Sequence, residues 1–444
     1  HDHGIIFGGA ASGNSYGNVK GIPVEVAIKD LGGNFIRLKH KLNWDDSLRA
    51  TSGCANNPAY IGGQVIAYKR YLDAGADVLH RDEAWNNLGY VRLGGCFCDY
   101  CMSDFNQYLM LNADEQDLHE AGISDLTTFN YKEYLLEKGA PKDGYTFADW
   151  DGKGILYEYF KSFQEKSARE FLSKLRKEIN DYAGRYVPLS GNNSSLQRWH
   201  TPYRKLDWGM SELMFRYAKP ERMWQRGKTA GMFGKIQVFS MPKHHGKPVP
   251  EEEIQLITRR VIATAYAIGH LCRVPWDIYM QTDDGSRYFG KPAQYADLYG
   301  YIRSMEEFID GYYEVAALGN GIPETPEPNP VSIISDANLY AFVRAIPEDK
   351  KAPVVIHVVD WSDTPAQAKM VLDKNKFFNG KDVRIEFRKP AEYTKKHHEK
   401  ARESGDYSKL NEIKKIEYKE TNNSIEFLLP GLTPWGTIVV YNEE

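Results

Sequence analysis

Up to about residue 315 the chain alternates short apolar runs with longer stretches whose apolar residues recur at helical spacing. Ile5–Phe7 and Asn34–Lys39 read as strands, with Val24–Leu31 as a helix between them. Tyr60–Ala74 reads as a helix and Ala76–Glu83 as a buried strand ending in Arg-Asp-Glu. Lys161–Tyr182 has the strongest helical pattern, with Phe163, Phe171, Leu172, Leu175, Ile179 and Tyr182 on one face. Strands follow at Tyr186–Ser190, at Leu213–Phe215 (starting near Asp207), at Ile236–Ser240 and at Cys272–Asp277. The helices among them are Glu251–Ile268, with Ile254, Ile257, Val261, Ala265 and Ile268 aligned, and a closing helix at Gln294–Tyr312.

Repeated strand–helix units imply a parallel sheet covered by helices. About seven strands is close to the eight of a (β/α)8 TIM barrel. A doubly wound open sheet is the plainer alternative, but its G-x-G-x-x-G first turn is missing. Pro323, Pro326, Pro328 and Pro330 then mark a stiff linker. Beyond it, Val331–Ser335, Leu339–Arg344, Val354–Trp361, Val383–Arg388, Ile416–Lys419, Ser424–Leu429 and Thr437–Tyr441 read as strands without core helices. Thr394–Lys415, rich in Lys and His, reads as a solvated loop or surface helix. The expected layout is a barrel over residues 1–318, a Pro-rich linker over 319–330 and an antiparallel β-sandwich over 331–444.

Composition narrows the partners. Lys plus Arg number 56 and Asp plus Glu 60, so the net charge of −4 argues against nucleic acid or an anionic membrane. No apolar run is long enough to cross a bilayer. The 29 Tyr, 19 Phe and 9 Trp can be core, but a broad aromatic cleft would suit stacking on sugar rings or flat ligands. No organic cofactor is expected, and self-association as a homo-oligomer stays open. Residue 1 is His rather than Met, as in a processed or trimmed chain. The expected location is periplasmic or secreted if a signal was removed, and cytoplasmic otherwise.

In a (β/α)8 barrel the reactive groups sit at the carboxyl ends of strands. Three such ends carry acids: Asp82-Glu83, the Asp207–Glu212 segment, and Asp277 after Trp276. Strand alternation sends Asp82 and Glu83 to opposite sides, so at most one should face the mouth. Glycoside cleavage needs one carboxyl to protonate the leaving oxygen and another to attack carbon or activate water. The plainer role for each acid is to cap a helix or pair with an arginine.

The cysteines form a denser pattern. Cys96-x-Cys98-x-x-Cys101 follows the Glu83 strand, and Cys54 lies upstream. Four thiolates from two loops suit a tetrahedral structural zinc, which braces loops and leaves no open position for catalysis. Free buried thiols, or a disulfide in an exported protein, are the alternatives. Cys272 is left over inside an apolar strand.

Asp82-Glu83, then Gly95-Cys96-Phe97-Cys98-Asp99-Tyr100-Cys101, then Phe105 and Tyr108-Leu109, resembles the retaining β-galactosidases of glycoside hydrolase family 42. The resemblance implies that Glu83 is the general acid/base and that Cys54 completes a zinc site. Val187–Asn193, Leu206-Asp207-Trp208 and Gly269-His270 through Trp276 resemble later barrel strands of that family. The chain departs from it in three ways. The strand Val238-Phe239-Ser240-Met241-Pro242 lacks the family's nucleophile Glu, Asp82 replaces an Asn, and the family's middle domain is missing. The second carboxylate is then expected at Glu212, next at Asp277 and last at Asp82.

Two loops rich in cationic and aromatic groups complete the candidate site. One holds Arg198, Trp199 and His200, and the other holds His244 and His245 between Lys243 and Lys247. With Asp82, Asn192 and Trp276 they are the expected substrate-binding residues. Their charges would suit an anionic, sulfated algal galactan fragment, although an ordinary hydrated loop has the same composition. The expectation is a galactoside-cleaving glycoside hydrolase, β-galactosidase-like, with an oligosaccharide substrate as its partner. A degenerate barrel that binds carbohydrate without cutting it is the main rival. A metal-dependent hydrolase using His80, His200, His244 and His245 ranks below both, because H-E-x-x-H is absent.

Overall fold

Of the long helices that accompany the parallel strands, Pro58–Asp73 is capped by a side chain of its own sequence, whereas Gly154–Ala183, Pro220–Gly231 and Glu251–Ala267 start without one. In this computed structural model the residues described are 6–12, 24–36, 52–193, 201–213, 218–240, 249–273, 292–324, 327–349, 351–363, 367–377, 382–421 and 423–443. The chain divides into two compact units, His1–Gly209 and Met210–Glu444.

In the first unit β1 (Gly8–Ser12), β2 (Val78–Asp82) and β3 (Leu189–Asn192) run parallel, with Ala10 opposite His80 and His80 opposite Ser190. Helix α1 (Pro58–Asp73) starts at Asn57, whose side chain accepts the Ala59 N–H at 3.0 Å, with Pro58 as its first residue. The connection from β2 to β3 holds a helical lobe made of α2 (Asp99–Asn112), α3 (Glu115–Glu120), α4 (Tyr131–Glu137), α5 (Gly144–Ala148) and the long α6 (Gly154–Ala183). An aromatic core holds it together. Phe97 stacks on Phe160 at 5.2 Å, and Phe105 lies 5.0 Å from Tyr131. Asp114, Asn130 and Asp143 cap α3, α4 and α5.

Next come β4 (Trp208–Glu212), α7 (Pro220–Gly231), β5 (Ile236–Ser240), α8 (Glu251–Ala267) and β6 (Leu271–Cys272). The sheet order is β1-β2-β3-β4-β5-β6, with each strand beside its chain neighbour. Parallel strands wound in chain order with helical crossovers make an α/β barrel fold. Helices α9 (Ala296–Ser304) and α10 (Glu306–Ile309) follow.

The rest of the chain is a β-sandwich. One antiparallel sheet has the order β13-β12-β16-β10-β9-β7 and the other β14-β15-β11-β8. These strands are β7 (Tyr313–Leu318), β8 (Val331–Ile334), β9 (Leu339–Ala345), β10 (Val354–Asp360), β11 (Ala368–Asp373), β12 (Val383–Pro390), β13 (Asn411–Lys415), β14 (Lys419–Glu420), β15 (Ser424–Leu429) and β16 (Trp435–Asn442). Short helices α11 (Lys374–Phe377) and α12 (Lys395–Ser404) decorate it. Strands β9, β10 and β16 are buried on both faces. Val343, Ile356 and Ile438 face the second sheet, whereas Phe342, Val355, Val359, Trp435 and Val439 share a core with Val261, Ala265 and Tyr301 of α8 and α9.

Several expected elements differ. Val24–Leu31 is not an α-helix; it is a 3-10 turn at Val24–Val26 followed by isolated bridges Ala27–Gly53 and Lys29–Phe35. Val24, Val26 and Ile28 are β-branched, and restricted χ1 disfavours a helix there. The first described strand is Gly8–Ser12, while Ile6 and Phe7 are exposed at 69% and 45%. The closing helix is two short helices, and Tyr313 already starts a strand of the sandwich sheet. Helices α2 to α5, α7 and α11, and strands β7 and β11, had no counterpart in the sequence reading. Of the charged insertion, Lys395–Ser404 is helical and Asn411–Lys415 pairs with β12.

Candidate active site and cysteine cluster

Strand β2 separates two kinds of side chain. Leu79 and Arg81 face the helices. The guanidinium of Arg81, fully buried, donates to Gln64 Oε1 at 2.6 Å, Tyr60 Oη at 3.2 Å and Asn86 Oδ1 at 2.7 Å, and lies 4.9 Å from the Phe171 ring centre. His80 and Asp82 face the other way. His80 Nδ1 is 2.8 Å from Ser190 Oγ, and Asn192 Nδ2 donates to Asp82 Oδ1 at 2.8 Å. Two of the residues proposed from sequence, Asp82 and Asn192, thus form one polar rung across β2 and β3.

Glu83 follows with φ of 55°, in the left-handed region that a glutamate rarely adopts. Its N–H donates to Asp82 Oδ1 at 3.0 Å. The strict two-sided alternation expected for the Asp82-Glu83 pair ends at Asp82, because β2 ends there and the backbone turns at the next residue. Strained backbone of this kind concentrates at functional positions.

Glu212 ends β4. Its neighbour Ser211 is fully buried and accepts from Arg226 Nη1 of α7 at 2.7 Å. Alternation therefore sets Glu212 on the face turned away from α7. Asp207, the other acid of that segment, is taken up structurally. It accepts from Arg176 Nη1 at 3.0 Å and from the Leu189 N–H at 2.7 Å. Asp277, Trp276, Arg198, Trp199, His200, His244 and His245 lie outside the described residues.

Cys54, Cys96, Cys98 and Cys101 converge, with sulfur atoms within 4.8 Å of one another. Cys54 Sγ is 3.4 Å from Cys101 Sγ and 3.7 Å from Cys98 Sγ. Tetrahedral zinc with Zn–S near 2.3 Å places sulfurs about 3.8 Å apart, so the donor set fits a metal ion. Amide groups surround the sulfurs. Asn87 Nδ2 donates to Cys54 at 3.2 Å and to Cys101 at 3.4 Å, and Asn56 Nδ2 donates to Cys101 at 3.3 Å. Such N–H···S contacts favour thiolate over thiol. Burial pushes the Cys54 and Cys101 thiols up, while hydrogen bonds from Cys101 and Cys54 pull Cys98 down. A cation would stabilise all four as thiolates. The sequence reading missed Asn87 and Asn56. The signal was there in the Asn86-Asn87 pair placed between the acid and the cysteines.

No protein-family model matches the sequence. An alpha-agarase of Alteromonas agarilytica is 23% identical over 287 residues, covering 60% of this chain and 19% of that protein. An alpha-agarase of Thalassotalea agarivorans is 20% identical over 276 residues, with the same coverage of 60% and 19%. The chain thus spans about a fifth of the length of the curated relatives it matches. Among solved structures, a family 27 β-L-arabinopyranosidase of Geobacillus stearothermophilus superposes with a TM-score of 0.46 at 9% identity, over 99% of this chain and 75% of that one. The α-amylase of H. orenii gives 0.39 at 13% identity, over 88% and 66%. The fold assignment rests on the strand order rather than on these superpositions. The relatives are alpha-agarases, and the likeness to family 42 rests on the cysteine segment alone.

Proposed function

We propose that the chain is a glycoside hydrolase that cleaves a galactoside bond in a galactan-type polysaccharide by a two-carboxylate mechanism. The observation that carries this reading is the placement of acids at the carboxyl ends of parallel strands: Asp82-Glu83 after β2 and Glu212 at the end of β4, with Asp82 and Glu212 each turned away from the covering helices. The relatives named alpha-agarases supply the substrate class, and agar is a galactan.

In this mechanism Glu83 protonates the leaving oxygen, the role implied by its family 42-like context. Glu212 attacks the anomeric carbon or activates water, with Asp277 as the next choice. Asp82, held by Asn192, binds sugar hydroxyls. Cys54, Cys96, Cys98 and Cys101 would hold a structural zinc, which would fix the loop between Glu83 and α2. When bound, the zinc supplies cross-linking only, because four thiolates fill its coordination.

The test uses agarose and a panel of neutral and sulfated galactans, with reducing ends as the readout. Glu83→Gln and Glu212→Gln should each lower turnover by about 10²–10⁴-fold or more, with unchanged circular dichroism. Near-normal turnover in Glu83→Gln removes its acid role. A larger loss in Asp82→Asn than in Glu83→Gln transfers that role to Asp82. Binding without cleavage by the wild type establishes the non-catalytic reading instead.

A further inference from the structure

A cavity of about 800 Å³ opens within the second unit, between the carboxyl ends of α7 and α8, the amino ends of β5 and β6, and the start of β7. It lies at the opposite strand ends from Glu212. Its size suits a few sugar units.

The wall contains an unusual charge. Arg344 of β9 is only 7% exposed. It sits on the Tyr340–Phe342 side of its strand, which turns it toward the helices. Its one hydrogen bond among the described residues runs from Nη2 to the Tyr312 carbonyl oxygen, and its buried Nε donates to no described group. No described carboxylate pairs with it. The nearby Glu314 is taken by Lys228 at 2.9 Å and by Trp224 Nε1 at 3.0 Å. Glu314 acts on Arg344 only at longer range, favouring its charge without a direct ion pair, while burial opposes that charge; a bound anion would supply a partner in direct contact.

The surroundings are shaped to admit this group. Gly269, at φ of 78°, closes α8, and a Cβ there would lie 2.0 Å from Arg344 Nη1. A Cβ on Gly227 would lie 2.4 Å from the His270 ring. Burial pushes His270 down to about 4, so the ring beside the cavity is neutral at pH 7 and Arg344 supplies the buried positive charge. Tyr313, 64% exposed, presents an aromatic face at the rim, the surface on which a sugar ring stacks.

We propose that this cavity is a second, non-catalytic saccharide site, taking a sugar that carries an oxyanion, either a sulfate ester or a carboxylate, with Arg344 as the anion anchor. The choice of a sugar as carrier rests on the galactan reading above; the anion site does not.

The test is calorimetric titration of the full chain with four ligands: a sulfated galactan oligosaccharide, its desulfated form, a uronate oligosaccharide and sodium sulfate. One sulfated or uronate oligosaccharide should bind at this site at least tenfold more tightly than the desulfated form, and sodium sulfate should compete with it. The tighter of the two identifies the anion. Arg344→Gln should weaken binding at least tenfold. Gly231→Tyr gives a second reading if Arg344→Gln fails to fold. Position 231 lines the cavity at its exposed edge, and a Cβ there meets nothing within 4 Å, so a ring can be added at the mouth without displacing the wall. Equal binding of sulfated and desulfated forms, no binding of any ligand, or wild-type affinity in Gly231→Tyr overturns the proposal. Binding of sodium sulfate alone, blocked by Gly231→Tyr, retains the anion site and removes the sugar. Anion binding that persists in Glu83→Gln while cleavage is lost separates the two sites.

Discussion

Glu83 combines a carboxylate at a strand end with a backbone that favours glycine. Holding an L-residue in the left-handed region costs about 1–2 kcal/mol. Glu83→Gly should therefore be at least as stable as the wild type by urea denaturation, even though the more flexible unfolded chain offsets part of the gain. Glu83→Ala should not show that benefit. In both variants hydrolysis should be lost. His357 gives a second test at this scale. It is fully buried, its Nδ1 lies 3.0 Å from Thr437 Oγ1, and burial pushes it down to about 3. Unfolded histidine takes up a proton near pH 6.5 and the folded ring does so only near 3, so the unfolded state binds more protons between these values. Stability should be full above about pH 6.5 and fall as the pH drops toward 3. The fall in melting temperature between pH 6.5 and pH 4 should be shallower in His357→Gln than in the wild type. Equal slopes would show that the ring contributes nothing to acid sensitivity.

At the level of elements, the cysteine loop was legible from sequence because C-x-C-x-x-C is a local spacing, and the chemistry of four thiols in two loops admits few arrangements. Helix α6 and strand β5 were legible for the same kind of reason, since a long single period or a short apolar run needs no tertiary context. The lobe of α2 to α5 was not. Helices α3 to α5 are short and marked only by Asp and Asn caps, α2 starts at Cys98 without a side-chain cap, and the lobe packs through aromatic rings onto Phe160 and Phe163 of α6. The rung between Asp82 and Asn192 was also hidden, because it joins residues 110 positions apart and depends on strand register. The cysteine cluster makes its own prediction. Purified protein should carry about one zinc per chain by elemental analysis, and a strong chelator should lower the melting temperature by several degrees. Cys98→Ser should lose the metal and reproduce that shift without chelator. A chain with no metal and an unchanged melting curve on chelation would leave the cysteines as free buried thiols.

Across the second unit, the helices that follow β4 and the sandwich share one core. Tyr301 of α9 meets Trp435 edge-on at 4.9 Å and donates to Thr437 Oγ1 at 2.7 Å, while Trp361 Nε1 donates to Thr264 Oγ1 of α8 at 3.0 Å. Arg260 of α8 donates to the Asp360 carbonyl at 3.0 Å. Cutting the chain after Pro330 would strip this cover and expose Val261, Ala265 and Tyr301. The fragment 1–330 should be insoluble or lack a cooperative melt, in contrast to the full chain. A soluble fragment with a sharp transition would show that the helices do not need the sheet.

Strands β9, β10 and β16, enclosed on both sides, have a consequence for how this chain diversifies. An accessory module joined by a flexible tether can be exchanged through recombination without regard to its neighbour. A sheet whose second face completes the neighbour's interior cannot, because any replacement must match the shapes of Val261, Ala265 and Tyr301 as well as its own sister sheet. The C-terminal third is thus inherited together with the helices it covers, and laboratory chimeras should join segments upstream of α8 rather than at the prolines.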